Sequence, residues 1–376
     1  MATPRDVIIV GAGPAGVGIA ATLRQIGVQD VLIIDRYEIG ASFIRWPAET
    51  RFITPSFYSN PFGPIDLNAV TPDSSLATSS GREHPDGKAY AKYLSEVLLD
   101  YQIPTLLYSN VDQVTLLGTG DYRLITSTGE TLETKILIWA TGEFQFPERY
   151  VFSGSELCCH YADISSWQDF KPADYVIIGG YESAVDAAIN LLNVGCKVKM
   201  LTRSAPWSAN YISDPSISLS PYSKERLENA LDNPNLEIYE DAEVCDVSKT
   251  LDPDGGYLIN TSDGRGWVCS ERPILCTGFQ CGGGARQIRP FFEWNDEGYP
   301  HLTEEDASTL FNRLYLVGPQ VRHQQSIFCF IYKFRQRFSI VAAAVASQLN
   351  LPINANDWTW TSNVSNSCCS GDDCAC

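Results

Sequence analysis

The chain has 376 residues, 44% of them hydrophobic, enough to bury the cores of two ordinary domains. Acidic residues outnumber basic ones 45 to 27, and a net charge of −18 repels polyanions, so no nucleic-acid partner is expected. MATPRDVIIV runs straight into a glycine loop and no apolar run is long enough to span a bilayer, which predicts a cytoplasmic location and no membrane partner.

Residues 6–10 read as a short apolar strand, GAGPAG follows at 11–16, a helix runs to 25, and a strand at 31–34 is closed by Asp35. Three glycines in that βαβ context are the fingerprint of a dinucleotide loop. Gly11 permits the tight turn, Gly13 lets backbone approach a pyrophosphate, and Gly16 lets the helix pack closely with its N-terminus on the phosphates. Pro14 and Ala15 lie in the same turn, and Asp35 is placed to accept from a ribose hydroxyl.

A Pro- and Ser-rich stretch at 46–80, a helix near 89–100 and strands near 111–115, 122–126 and 135–139 come next, the last ending in Ala140-Thr141-Gly142-Glu143. The βαβ grammar then returns, with a strand at 175–178, GGYESA at 179–184, a helix to 193 and a strand at 197–201. Gly179, Gly180, Tyr181, Glu182, Ser183 and Ala184 form the candidate nicotinamide-nucleotide loop, although Tyr181 holds the middle-glycine position and would crowd a pyrophosphate. Arg203 ends the following strand, where a guanidinium pairs with a 2′-phosphate and favours NADPH over NADH. The alternative is a second domain that is retained but inactive. Electrons would then come from a reduced donor protein such as a ferredoxin, met by a local basic patch of Lys333, Arg335 and Arg337.

A strand at 272–276 ends in CTGF, and 314–317 leads into Gly318, Pro319 and a long helix predicted over 326–349. Beyond 351 the composition turns polar and reads as a flexible, cysteine-rich tail. The predicted fold is α/β, with two Rossmann-like, three-layer ββα dinucleotide-binding domains, the second inserted into the first. Residues 1–145 and 279–352 form the first, 146–278 the second and 353–376 the tail.

GAGPAG, ATGE and LYLVGP together resemble the FAD-dependent pyridine nucleotide-disulfide reductase superfamily, particularly its thioredoxin-reductase-like and flavin-monooxygenase-like branches. The resemblance covers most of the chain and implies FAD on the first loop, with Arg36, Val111, Ala140, Thr141, Gly142, Gly318 and Pro319 adding to its site. Members place an acid after the late glycine, facing the ribityl chain; here Pro319 stands there. GASFIRWPAETRFITPSF (40–57) and FCFIYKFRQRF (328–338) look like segments of bacillithiol disulfide reductase relatives and flavin monooxygenases. Both are expected to flank the flavin, with Ser42, Phe43, Arg45 and Trp46 as candidates from the first. Homodimers are implied in the same way.

A disulfide reductase needs thiols, yet the CxxxxC and CxxC pairs of such enzymes are missing. Four of the twelve cysteines, Cys368, Cys369, Cys374 and Cys376, fall in the last nine residues, and SCCSG resembles the C-terminal pair of mercuric reductases and the redox tails of large thioredoxin reductases. The stretch from Leu351 to Cys368 extends up to roughly 55 Å at about 3.3 Å per residue. Asp372 and Asp373 would raise the thiol pKa values. Redox shuttle, metal or metalloid ligand, and inert tail are the three readings of these residues. Cys158 and Cys159 are a second candidate redox pair, while Cys196, Cys245, Cys269, Cys276, Cys281 and Cys329 read as small buried hydrophobes. Phe152, Gly154 and His160 resemble the FxGxxxH fingerprint of flavin monooxygenases with a longer gap, and His323 is a candidate acid/base group. The expected activity is NADPH-driven, FAD-dependent reduction of a small-molecule or protein disulfide through the tail cysteines. A flavin monooxygenase and a flavoprotein with a metal-binding tail are the alternatives.

Overall fold

The computed structural model describes residues 3–59, 64–208, 214–251 and 255–352. The four tail cysteines lie outside them. The chain divides into two compact units: unit 1 holds Met1–Ile44, Pro55–Phe146 and Cys281–Cys376, and unit 2 holds Arg45–Thr54 and Pro147–Gln280.

Unit 1 opens with β1 (Arg5–Val10), α1 (Pro14–Gln25) and β2 (Val31–Ile34), followed by α2 (Ala41–Ile44), α3 (Leu76–Ser80) and α4 (Gly87–Asp100). β3 (Thr105–Leu106), the meander β4 (Val111–Leu116) and β5 (Tyr122–Thr126), and β6 (Thr131–Trp139) complete its first part. β1 and β2 are apolar on both faces because α1 and other elements cover them, as a parallel sheet requires. β6 divides its pairing. Its first residues run antiparallel to β5, and its last run parallel to β1, which produces the extra ββ layer. α1 lies against a later helix through Gly18, where a Cβ would come within 2.1 Å of the Phe338 ring.

In unit 2, β7 (Cys159–His160), β8 (Asp174–Ile178), α5 (Glu182–Asn193), β9 (Lys197–Leu201), α6 (Pro221–Glu228) and β10 (Leu236–Tyr239) lead to an antiparallel sheet of β11 (Val244–Lys249), β12 (Tyr257–Thr261) and β13 (Gly266–Cys269), and then to β14 (Ile274–Leu275). The parallel sheet runs β10-β9-β8-β14-β7. Its two faces bury separate cores, one around Trp167 and Leu191 and the other around Ile259 and Trp267.

The chain returns to unit 1 with β15 (Leu314–Leu316), which pairs parallel with the end of β6. The helix predicted over 326–349 is shorter. β16 (Arg322–His323) and β17 (Ser326–Ile327) form a hairpin whose turn residue Gln324 has φ 52°, and helix begins at α7 (Ile331–Phe334) and continues as α8 (Phe338–Gln348).

Arg45 and Trp46, expected beside the first nucleotide, group with unit 2. Ala48 N–H donates to Ser165 O (2.9 Å), the Glu49 carboxylate accepts from Ser166 Oγ (2.8 Å) and Trp167 N–H (2.9 Å), and Thr50 Oγ1 donates to buried Asp186 (2.8 Å). Together these bonds tie Arg45–Thr54 to that unit. Asp186 also accepts from Tyr161 and pairs with Arg226 at 2.9 Å, so its charge is compensated.

Candidate nucleotide sites

In unit 1 the glycine turn has the shape a pyrophosphate requires. Gly11 has φ +115°, and a Cβ there would meet Ala140 O at 2.3 Å; a Cβ on Gly16 would meet Gly11 O at 1.8 Å. At Gly13 nothing lies within 4 Å. Gly11 and Gly16 thus serve the fold, while Gly13 faces open space at the N-cap of α1. Pro14 at the helix start has no N–H to lose, and Gly13 provides no side-chain cap, so the first-turn donors at Ala15 and Gly16 are left for an anion. By contrast α4 is capped by Asp86 and α6 by Ser220.

Asp35, just beyond β2, accepts from Ala12 N–H (2.6 Å) through Oδ2 and from Tyr37 N–H (2.8 Å) through Oδ1. Each oxygen keeps a second lone pair for a hydroxyl. Burial pushes its carboxyl above the usual range, opposed by those two N–H groups. Arg36 bonds Gln145 and lies over the Tyr37 ring, 4.8 Å from its centre. Val111 begins β4, and Ser109 N–H donates to Asp35 O (2.9 Å), which brings that strand's entry to the same end of the sheet.

Ala140, Thr141 and Gly142 leave β6 beside Gly11, and Gly142 has φ +66° with open space where a Cβ would sit. Gly318 follows β15, and a Cβ there would lie 3.0 Å from Ala15 Cβ, so Gly318 and Pro319 reach the start of α1. Ser42 and Phe43 lie on α2, where Phe43 packs edge-on against Tyr90 of α4 at 4.6 Å. Sequence reasoning missed one pair here. Gln320 donates to the Glu143 carboxylate, and burial pushes the Glu143 carboxyl up, against the pull of Arg322. The glutamate directly after Ala-Thr-Gly was the available signal. An FAD fits this donor set: a first turn without a side-chain cap, open space at Gly13 and Gly142, and an acid at the end of β2.

Unit 2 repeats the scaffold with altered chemistry. Gly179 has φ +138°, and a Cβ there would meet Cys276 O at 2.3 Å, matching Gly11 against Ala140. Ala184 is fully buried where Gly16 stands in unit 1. Tyr181 takes the N-cap of α5 in extended backbone, 47% exposed and without a side-chain cap bond. Glu182, the first residue of α5, turns to α6, where its carboxylate accepts from Ser220 N–H (2.5 Å) and the Ser220 hydroxyl (3.1 Å), and also from the Ser223 hydroxyl. The Ser183 side chain lies beside the buried Cys276 thiol, and a Cβ on Gly180 would strike Thr202. Arg203 is exposed past β9 and pairs with no acid among the described residues.

Cys158 lies in the core with Val176 and Leu275, which pushes its thiol up to about 12, and burial also raises Cys159. Burial thus opposes a reactive thiolate at both members of the redox pair expected at 158–159. Cys245, expected buried, is exposed. The expected basic patch is internal: Lys333 and Arg335 are buried, Arg335 donates to Ala69 O (2.8 Å) and to Asp66 O, and Arg337 pairs with buried Asp306 at 2.8 Å. His323 gives its Nε2 to the same Asp306 (2.5 Å), which fixes it in a structural cluster. Among the described residues no group of His, Cys, Asp and Glu could hold a metal, and no helix is long and apolar enough to cross a membrane.

His160 is buried. Its Nδ1 accepts from Ala162 N–H (3.0 Å), so Nε2 carries the proton, toward Gly278 O at 3.1 Å. Burial pulls its pKa down to about 4, below the ordinary 6.5. Because the unfolded chain binds this proton first, His160 costs stability as pH falls from about 6.5 to about 4. Chemical denaturation of wild type and His160→Gln across that window should show the wild type losing stability more steeply; parallel curves would remove His160 as the cause.

The fold and its loops define a two-nucleotide flavoprotein scaffold. Residues 8–318 match the family described as pyridine nucleotide-disulphide oxidoreductase, and the chain belongs to that family of FAD-dependent NAD(P)H oxidoreductases. By sequence it is 27% identical over 282 residues to FAD-dependent oxidoreductase domain-containing protein 2 of Mus musculus, covering 70% of this chain and 40% of that protein. It is 28% identical over 201 residues to the bacilliredoxin reductase Bdr of Bacillus subtilis, covering 54% and 58%. The chain spans about half the length of these relatives. In fold it resembles bacillithiol disulfide reductase Bdr of Staphylococcus aureus (TM-score 0.75, 20% identity, 92% of this chain and 99% of that one) and a flavin-containing monooxygenase of Stenotrophomonas maltophilia (0.72, 16%, 93% and 100%).

Proposed function

We propose that this chain is an NADPH-driven, FAD-dependent disulfide reductase whose exchanging thiols are Cys368, Cys369, Cys374 and Cys376. The observation that carries the flavin assignment is the contrast at α1, where two glycines are demanded by packing and the third faces open space beside a first turn that no side chain caps. FAD, when bound, supplies two-electron chemistry. Ala15 and Gly16 hold the phosphates, Asp35 accepts from the ribose, and Glu143 supplies the acid that Pro319 does not. In unit 2, Arg203 engages the 2′-phosphate of NADPH.

Disulfide reduction is supported by the relationship to Bdr and by the missing CxxC and CxxxxC pairs, with Cys158 buried and Cys159 partly buried. One tail thiolate attacks the substrate disulfide, forming a mixed disulfide and releasing the first thiolate. A second tail thiolate then displaces the other substrate thiolate and leaves a tail disulfide, which two electrons originating in NADPH reduce again. Replacing all four tail cysteines with serine should abolish disulfide reduction while flavin content stays at wild-type level; undiminished turnover would sink the assignment.

A monooxygenase is the second reading, favoured by 26% identity over 215 residues to a probable indole-3-pyruvate monooxygenase of Arabidopsis thaliana. Oxygen consumed in step with NADPH and unaffected by loss of the tail cysteines would select it.

A further inference from the structure

Unit 1 carries a recess of about 760 Å³ with no part in the sites above. Its floor is aromatic: Tyr122 and Tyr315 are buried, and Phe311 lines it while packing against Phe291 at 5.2 Å. Leu116 and Leu310 line it and remain 41% and 48% exposed, so described residues leave its apolar rim uncovered. The last turn of α8 forms one wall. There Gln348 Nε2 donates to Asn312 O at 2.6 Å, while its Oε1 is buried with no donor among the described residues.

The chain leaves α8 at this wall. Asn350 N–H donates to Ser347 O (3.1 Å), Leu351 N–H donates to Ala346 O (2.9 Å), and Asn350 is left-handed at φ 56°, a Schellman turn that ends the helix beside the recess. Six residues after Pro352 come Trp358, Thr359 and Trp360. Six residues span up to roughly 20 Å at about 3.3 Å each, ample to return to a wall built by Ser347 and Gln348. Residues two apart share a face of any extended segment, and Trp358 and Trp360 stand two apart in the sequence. Indoles match an aromatic floor.

We propose that this recess is the seat of the chain's own Trp358–Trp360 stretch, which anchors the base of the cysteine tail to unit 1. The inference does not rest on the redox reading, since docking is measured without turnover. The test is hydrogen–deuterium exchange on the full-length protein at two concentrations, with Trp358→Ser/Trp360→Ser and, separately, Ala344→Arg on the recess wall. Amides of residues 303–312 should exchange about tenfold faster in both variants, while wild-type protection stays unchanged on dilution. Should Ala344→Arg fail to fold, the tail variant, which alters nothing in the unit 1 core, decides alone. Equal exchange in wild type and the tail variant would overturn the proposal. Protection lost on dilution would overturn it too, assigning the recess to a second copy.

Discussion

Gly13→Val is expected to give a folded but colourless protein, and Gly16→Ala to give little folded protein. A Cβ at Gly13 meets nothing within 4 Å, and the backbone there (φ −84°, ψ −175°) is extended and open to any residue. Only an arriving phosphate feels the added methyls. Losing two charge-assisted backbone bonds at about 1.5–3 kcal/mol each weakens FAD binding by roughly a hundredfold or more. At Gly16 the new Cβ would lie 1.8 Å from Gly11 O, which is backbone and cannot swing aside, so the cost exceeds the usual ~1–3 kcal/mol of overpacking. Flavin absorbance per polypeptide together with a thermal melt separates the two. A yellow Gly13→Val protein would remove α1 from the flavin site.

Tyr181→Gly is expected to tighten NADPH binding by about tenfold or more. Tyr181 occupies the N-cap of α5 as Gly13 occupies that of α1, and its backbone (φ −99°, ψ −160°) is one that both residues adopt. The substitution therefore changes the side chain and leaves the turn intact. Removing a half-exposed ring from the path of a pyrophosphate clears the phosphate site, and recovering even one charge-assisted bond corresponds to roughly tenfold. Calorimetric titration with NADPH and NADH checks it, and Arg203→Ala should erase the preference for the 2′-phosphate. Unchanged affinity in Tyr181→Gly would show that the ring stands clear of the nucleotide.

The two βαβ units were legible because period and punctuation agree: short strands of four to six residues with apolar cores, a glycine turn, and a helix that follows at once. What escaped depends on partners distant in sequence. Arg45–Thr54 joins unit 2 through Thr50 and Asp186, 136 positions apart, and Glu143 meets Gln320 across 177. Lys333, Arg335 and Arg337 looked like a surface patch because charged residues are usually exposed, yet backbone carbonyls near Asp66 and the buried Asp306 take two of them inward. A helix was expected over 326–349 but starts at 331, because the hairpin before it turns on a left-handed Gln324, a conformation that residue type does not announce.

The most direct measurement is anaerobic stopped-flow mixing of the purified full-length protein with NADPH, following the flavin band near ~450 nm. An NADPH-driven disulfide reductase with exchanging tail thiols predicts fast bleaching that consumes more than one NADPH per flavin. A band that NADPH leaves unbleached would contradict a working nicotinamide site in unit 2.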